Sequence, residues 1–218
     1  MKFQNRHEWM SDVFLLNQVH GDRLWRVHES SSIEEVSKIE GDALWTTVQN
    51  RKIGVRTADC VPVFVWGNQQ EFVCAIHAGW RGVAAHIVRK SVQAICQELG
   101  LEASDCSAQI GPCIGADVYE VGAEVARQAP AVCVKTGLDN RNYLDLQQWL
   151  LLQMQDLGIR VDSIVNRCTF SNPETYFSAR RGDKGRQISW ICLSQPVLTE
   201  SRLFCRQASG DLGRITQR

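Results

Sequence analysis

Residues 53–100, IGVRTADCVPVFVWGNQQEFVCAIHAGWRGVAAHIVRKSVQAICQELG, carry the pattern that decides the fold. Two β-rich runs, Ile53 to Thr57 and Val61 to Trp66, flank Ala58-Asp59-Cys60, and a third run, Phe72 to Ile76, ends at His77. Beyond Gly79-Trp80-Arg81-Gly82 the period changes. Ala84, Ile87, Val88, Val92, Ile95 and Leu99 recur at helical spacing, and Gly100 supplies a stop. Strands followed by an amphipathic helix, without strict βαβ alternation, predict an α/β protein with a mixed sheet covered by helices.

Working outward from this segment, Val13 to Val19 and Leu24 to His28 read as two strands around a tight turn at Gly21-Asp22, with His20 at the turn. Ser30 to Ser32 offer an N-cap for a short helix beginning at Ile33-Glu34-Glu35, and Gly41-Asp42 breaks it. On the C-terminal side, Gly111 to Gly115 reads as a loop and Gly122 to Gln128 as a helix. A second amphipathic helix runs through Leu146, Leu150, Met154 and Leu157 to Gly158. Val161 to Val165, Thr175 to Ser178 and Gln187 to Leu193 read as strands. Residues 1–193 are expected to form a single domain, and residues 194–218, polar and aperiodic, a loose tail.

Composition narrows the function classes. With 44% hydrophobic and 22% charged residues, the 218-residue chain has the profile of a folded globular protein. Lys plus Arg and Asp plus Glu both number 24, so no broad basic field exists to attract nucleic acid or an anionic membrane. Met1 to Met10 contains no apolar run after its basic residues, which argues against a secretory or membrane-spanning segment and for a cytosolic location. The nine cysteines are scattered and form no CxxC pair, so reduced thiols are expected rather than a disulfide framework or a zinc ribbon.

Imidazole and thiolate are the usual zinc ligands, and three of them with an open fourth position make a catalytic type of site. His20, Cys60 and His77 supply such a set, each placed after a predicted strand. A lone histidine or buried cysteine more commonly has a packing or polar role, and His7, His28 and His86 receive only that reading. Arginines near glycine-rich turns form a second constellation: Arg81, Arg167, and the Arg180-Arg181 pair. Their forked guanidinium groups suit phosphate oxygens, with surface solvation as the plain alternative. Gly111 to Gly115 can bring backbone N–H groups to a ligand but lacks both a dinucleotide glycine pattern and a Walker lysine. Asp42 and Asp59 are candidates for orienting a ligand histidine or handling a proton.

Several stretches taken together resemble the YfiH family, also called laccase-domain or polyphenol oxidase proteins: Asn17-Gln18-Val19-His20-Gly21, Thr57-Ala58-Asp59-Cys60, His77 to Gly82, Gly111 to Gly115, Tyr119-Glu120-Val121-Gly122 and Phe177 to Arg181. The resemblance implies a layered α/β/β/α sandwich with mixed sheets, similar to the catalytic domain of cytotoxic necrotizing factor. It also implies zinc on His20, Cys60 and His77, with copper the lesser alternative. The implied chemistry is phosphorolysis of adenosine, inosine and methylthioadenosine, with deamination of adenosine, so that purine nucleoside and phosphate are the expected partners. Within it, Cys60, His77 and Asp59 are expected at the reacting centre, and Arg81, Arg167 and Arg181 at substrate or phosphate. Family members carry several dozen further residues before the QVHG stretch, a segment the resemblance does not find here. Two other readings remain: Cys60 as a nucleophile with His77 as its base, in a hydrolase or peptidoglycan-precursor editing enzyme, and a purely structural zinc in an inactive chain.

Overall fold

The computed structural model describes residues 12–194 and 206–208. The predicted N-terminal hairpin does not form, because β1 (Val13–Phe14) and β2 (Leu24–Arg26) enter different sheets. β2 pairs in parallel with β3 (Ala43–Thr46), whereas β1 lies parallel to β4 (Lys52–Thr57). The chain between β1 and β2 therefore crosses from one sheet to the other. It crosses again between β4 and β5 (Val61–Gly67), and β5 then pairs antiparallel with β6 (Val73–Ala78).

The sequence reading had no place for β3 or for β7 (Cys106–Ile110), which pairs antiparallel with β5. Two further elements stand in line with it. Ser32 caps the short helix α1 (Ile33–Ser37) in a capping box with Glu35. The long helical run divides into α2 (Trp80–Ala84) and α3 (Ile87–Leu99) at His86, whose φ is 60°, and α3 stops at Gly100 in the left-handed conformation, φ 69°. Beyond it, β8 (Glu120–Val121), β9 (Val134–Thr136) and β10 (Asn142–Leu144) make a small antiparallel sheet next to α4 (Ala123–Ala126). α5 (Leu146–Asp156) leads into β11 (Arg160–Ile164), which runs parallel to β7. The six-stranded sheet thus has the order β11-β7-β5-β6-β3-β2.

β12 (Gln187–Ile191) returns to the other sheet, antiparallel to β4. Three residues of the segment read as a loose tail, Arg206–Ala208, form β13 on the far side of β12, giving the order β1-β4-β12-β13; residues 195–205 and 209–218 lie outside the described residues. Thr175 to Ser178 is not a strand. Its N–H groups are taken locally: Thr175 and Tyr176 donate to the Asn172 carbonyl, Phe177 to Gln187 Oε1 and Ser178 to Asp183 Oδ2. A neighbouring strand has no donors left to pair with there.

Every residue of β5 and β6 is buried, since both faces of the six-stranded sheet are covered. Val61, Val63 and Val65 pack with Ile87, Val88, Val92 and Ile95 of α3 and with α5, while Phe64 and Trp66 on the opposite face pack against Ile53 and Val55 of the four-stranded sheet. The layers therefore run helices, six-stranded sheet, four-stranded sheet, with α1 against β1. Eight cysteines of the described residues are free thiols, as expected, and no described helix is long and apolar enough to cross a membrane.

Candidate functional site

The two crossings between sheets and the end of β6 meet at one point. His20 lies in the β1–β2 crossing at φ 61°, Cys60 ends the β4–β5 crossing, and His77 is the penultimate residue of β6. The β5–β6 register, Pro62 opposite His77 and Val61 opposite Ala78, carries Cys60 alongside Gly79. As a result, one ligand atom from each of His20, Cys60 and His77 lies within 4.8 Å of the others, and among the described residues no other such group of His, Cys, Asp or Glu occurs. The two imidazole rings meet edge to face, with centroids 4.8 Å apart.

Asp42 fixes two of the three. Its fully buried carboxylate accepts N–H bonds from Val19 (3.3 Å), His20 (2.9 Å) and Gly21 (2.7 Å), and it binds His77 Nδ1 at 2.7 Å. A left-handed residue flanked by inward-turned N–H groups makes an anion nest, here filled by a side chain of the same molecule. Engaging Nδ1 leaves His77 Nε2 to face the cluster, the usual support for a metal-ligating histidine. Asp42 therefore takes the orienting role that the sequence allowed it.

The electrostatics follow from this arrangement. Burial pushes the Cys60 thiol up, but hydrogen bonds and positive charge from His20 and His77 outweigh it and bring the pKa down to about 7. Burial disfavours charge on His77, yet Asp42 and then Cys60 raise its pKa above the ordinary histidine value. For Asp42, desolvation is overcome by His77 and by the Gly21 and His20 amides, and its carboxyl stays below the usual range. A thiolate and two imidazoles are a donor set that fits zinc or copper.

Two glycines of the His77 to Gly82 stretch pack closely against the site. A Cβ on Gly79 would stand 3.1 Å from Cys60 Sγ and 3.3 Å from His20 Cδ2, and one on Gly82 would stand 2.9 Å from the Gly21 carbonyl. The first turn of α2 is thus pressed directly onto the site.

The remaining candidates separate. Asp59, expected at the reacting centre, has both carboxylate oxygens occupied: Thr169 Oγ1 donates to Oδ1 (2.6 Å), and Ser178 Oγ (3.0 Å) and the Arg180 N–H (2.7 Å) donate to Oδ2. It ties the Cys60 loop to two distant segments. Arg181 is likewise engaged, donating to the carbonyls of Thr169 (2.9 Å), Phe170 (2.7 Å) and Tyr176 (2.6 Å) and to Asp183. Arg81 is exposed in the first turn of α2, its guanidinium 4.6 Å from the centroid of the Trp80 ring, and Arg167 is exposed two residues after Val165. The Gly111 to Gly115 loop does not present a free row of N–H groups. Gly111 donates to the Pro62 carbonyl (2.8 Å), Ile114 to that of Asp59 (3.0 Å) and Gly115 to Cys168 Sγ (3.2 Å). Tyr119, part of the Tyr119 to Gly122 stretch, is given no role by its pattern. Burial first, then the neighbouring Cys60, push its hydroxyl up to about 12, with Arg180 and Arg81 pulling the other way.

A layered α/β fold that delivers two imidazoles and an acidic thiol to one end of its paired sheets defines a class of protein with a His/Cys/His centre suited to a metal. The chain belongs to the family described as multi-copper polyphenol oxidoreductase laccase, which its residues 2–194 match, and thus to the laccase-like YfiH proteins. It is 32% identical over 195 residues to a purine nucleoside phosphorylase of Clostridium acetobutylicum, covering 86% of this chain and 80% of the relative. A purine nucleoside phosphorylase of Aquifex aeolicus is 32% identical over 184 residues, covering 83% and 82% respectively. Among solved structures, the hypothetical protein YfiH of Bacillus licheniformis superposes with a TM-score of 0.79 at 26% identity, covering 85% of this chain and 75% of that one.

Proposed function

We propose that this chain is a zinc-dependent purine nucleoside phosphorylase acting on adenosine, inosine and methylthioadenosine, with adenosine deaminase activity and a cytosolic location. The observation that carries the reading is the convergence of His20, Cys60 and His77 in a chain whose relatives are named purine nucleoside phosphorylases. His20, Cys60 and His77 would hold the ion, two imidazoles and a thiolate being the three-donor set of catalytic rather than structural zinc sites. Bound there, zinc supplies Lewis acidity toward an oxygen or a ring nitrogen of the substrate.

The chain's own residues account for the rest. Asp42 sets the ring of His77 and the turn of His20, so the donors are organised before any ligand arrives. In phosphorolysis a phosphate oxygen bonds to C1′ as the C1′–N9 bond breaks. The purine leaves with the bonding pair and takes up a proton, giving free base and pentose 1-phosphate. Holding phosphate against C1′ is a positioning task for guanidinium groups, and Arg81, exposed two residues after Gly79, suits it. In deamination, water adds at C6 of adenosine and ammonia departs, giving inosine.

A second reading has its own support. Cys60 lies beside His77, whose Nδ1 is held by Asp42 at 2.7 Å, the order of a nucleophile, its base and an orienting carboxylate, and the thiol pKa is brought down to about 7. That arrangement fits a thiol hydrolase or a peptidoglycan-precursor editing enzyme. One experiment separates the two: metal analysis of the purified protein, followed by chromatography of adenosine incubations with and without phosphate, for the native chain and for Cys60→Ala. Adenine formed only with phosphate, or inosine without it, lost with chelator and regained with zinc, supports the nucleoside enzyme. Adenosine left intact by zinc-loaded protein refutes it and brings the thiol reading forward.

A further inference from the structure

We propose that Arg180, stacked on Tyr119 and anchored through its backbone to Asp59, is the residue that binds the oxyanion at this site, with Arg81 as the second cation beside it. The inference rests on the phosphorolysis reading above and names the residue that reading needs.

The adjacent arginines 180 and 181 look equivalent in sequence and are not equivalent in space. Four of the five N–H groups of Arg181 are engaged by three backbone carbonyls and Asp183, so its charge serves to hold residues 169–183 together. Arg180 gives one N–H to the Glu120 carbonyl at 2.9 Å, and its guanidinium lies 5.3 Å from the centroid of the Tyr119 ring. Among the described residues its other guanidinium N–H groups have no partner, and neither Arg180 nor Arg81 pairs with a carboxylate. The nearest candidate, Glu120, turns its side chain to Arg141.

Both arginines spring from backbone that borders the metal-type cluster. The Arg180 N–H bonds Asp59 Oδ2 at 2.7 Å, and Asp59 directly precedes Cys60. Arg81 follows Gly79, the glycine that abuts Cys60 Sγ, by two residues. Tyr119, under the Arg180 guanidinium, is fixed in place: its N–H bonds the Gly115 carbonyl and its own carbonyl accepts from Leu144, both at 3.0 Å, and it packs on the main core. A guanidinium held by one hydrogen bond and one aromatic face keeps its remaining fork oriented at little further entropic cost, the condition for bidentate recognition of phosphate.

The test uses the zinc-loaded full chain and inorganic phosphate. In steady-state nucleoside phosphorolysis, Arg180→Gln is expected to raise the KM for phosphate about 10- to 100-fold while the nucleoside KM moves less than about threefold, because charge-assisted contacts to the anion alone are lost. Arg180→Lys restores part of the loss by returning charge without the fork. Tyr119→Leu, which removes the aromatic face under Arg180, raises the phosphate KM in the same direction as Arg180→Gln. A phosphate KM unaltered by Arg180→Gln overturns this inference and leaves the phosphorylase reading standing. If the native chain shows no phosphate-dependent turnover, that reading fails, and titration calorimetry with inorganic phosphate decides the anion site separately. Binding that disappears in Arg180→Gln upholds it, and binding that is absent, or equal in both proteins, overturns it.

Discussion

Replacing Asp42 by alanine tests the centre most directly, because one carboxylate serves four donors from two chain segments. The side chain is fully buried, so water does not readily replace it. A buried donor left without a partner costs about 1–3 kcal/mol. The longest contact, 3.3 Å to Val19, counts for little. Three remaining donors, with some relaxation of the His20 turn toward solvent, give a loss of about 3–5 kcal/mol in folding stability. For a chain of this size that is a fall of roughly 6–20 °C in Tm, within a typical reserve of about 5–15 kcal/mol, so a folded population should survive. Metal affinity should drop about 10- to 100-fold, since His77 loses the partner that fixes its ring and tautomer. Thermal melting of the metal-free protein and competition with a chromophoric zinc chelator measure the two effects separately, with Asp162→Ala on the exposed β11 strand as control. Native zinc affinity in a folded Asp42→Ala protein would refute the claim that this carboxylate organises the ligands.

Three other expectations follow from the geometry. Gly79→Ala should weaken zinc binding severalfold with little effect on the metal-free Tm, since the backbone at φ −77° accepts alanine and only Cys60 and His20 must yield; unchanged chelator competition would count against it. Arg181→Gln should lower the Tm through the loss of four charge-assisted contacts, a deficit of about 2–3 kcal/mol after allowance for partial exposure, readable by urea unfolding; a midpoint matching the native chain would contradict the holding role. Asp183, bonded by the Ser178 N–H and by Arg181, has its carboxyl held below the usual range, so its stabilisation is present above a pH of about 4 and lost as pH falls through the folded-state pKa. Asp183→Asn should therefore melt below the native protein near neutrality and converge with it in acid; a Tm gap constant across that range would refute the linkage.

Much of this was legible in the sequence where local chemistry decides the outcome. The Ser32–Glu35 capping box, the periodicity of α3 and its stop at Gly100, and the choice of His20, Cys60 and His77 as candidate donors need only neighbours a few positions away or the donor chemistry of the side chain itself. The errors arise where distant contacts override local pattern. Apolar runs on both sides of Gly21-Asp22 look like a hairpin, yet Phe14 and Leu24 pack in different sheets because Asp42 captures the intervening N–H groups. β3 is four consecutive buried residues without alternation, and β7 reads CSAQI, too polar to suggest a strand whose partners are β5 and β11. The different fates of Arg180 and Arg181 depend on Thr169, Tyr176 and Glu120, which no local spacing points to.

The hydrogen bonds of Asp59 also order events in time. His20, Cys60 and His77 all fall in the first 78 residues, but the partners that pin the Cys60 loop, Thr169, Ser178 and Arg180, lie 110 to 121 positions beyond Asp59. During synthesis at about 5–20 residues per second, the three donors leave the ribosome roughly 5–20 s before those partners do. For that interval a nascent chain carries a thiol and two imidazoles without the clamp that later holds them. An oxidant would therefore reach this thiol chiefly while the chain is being made.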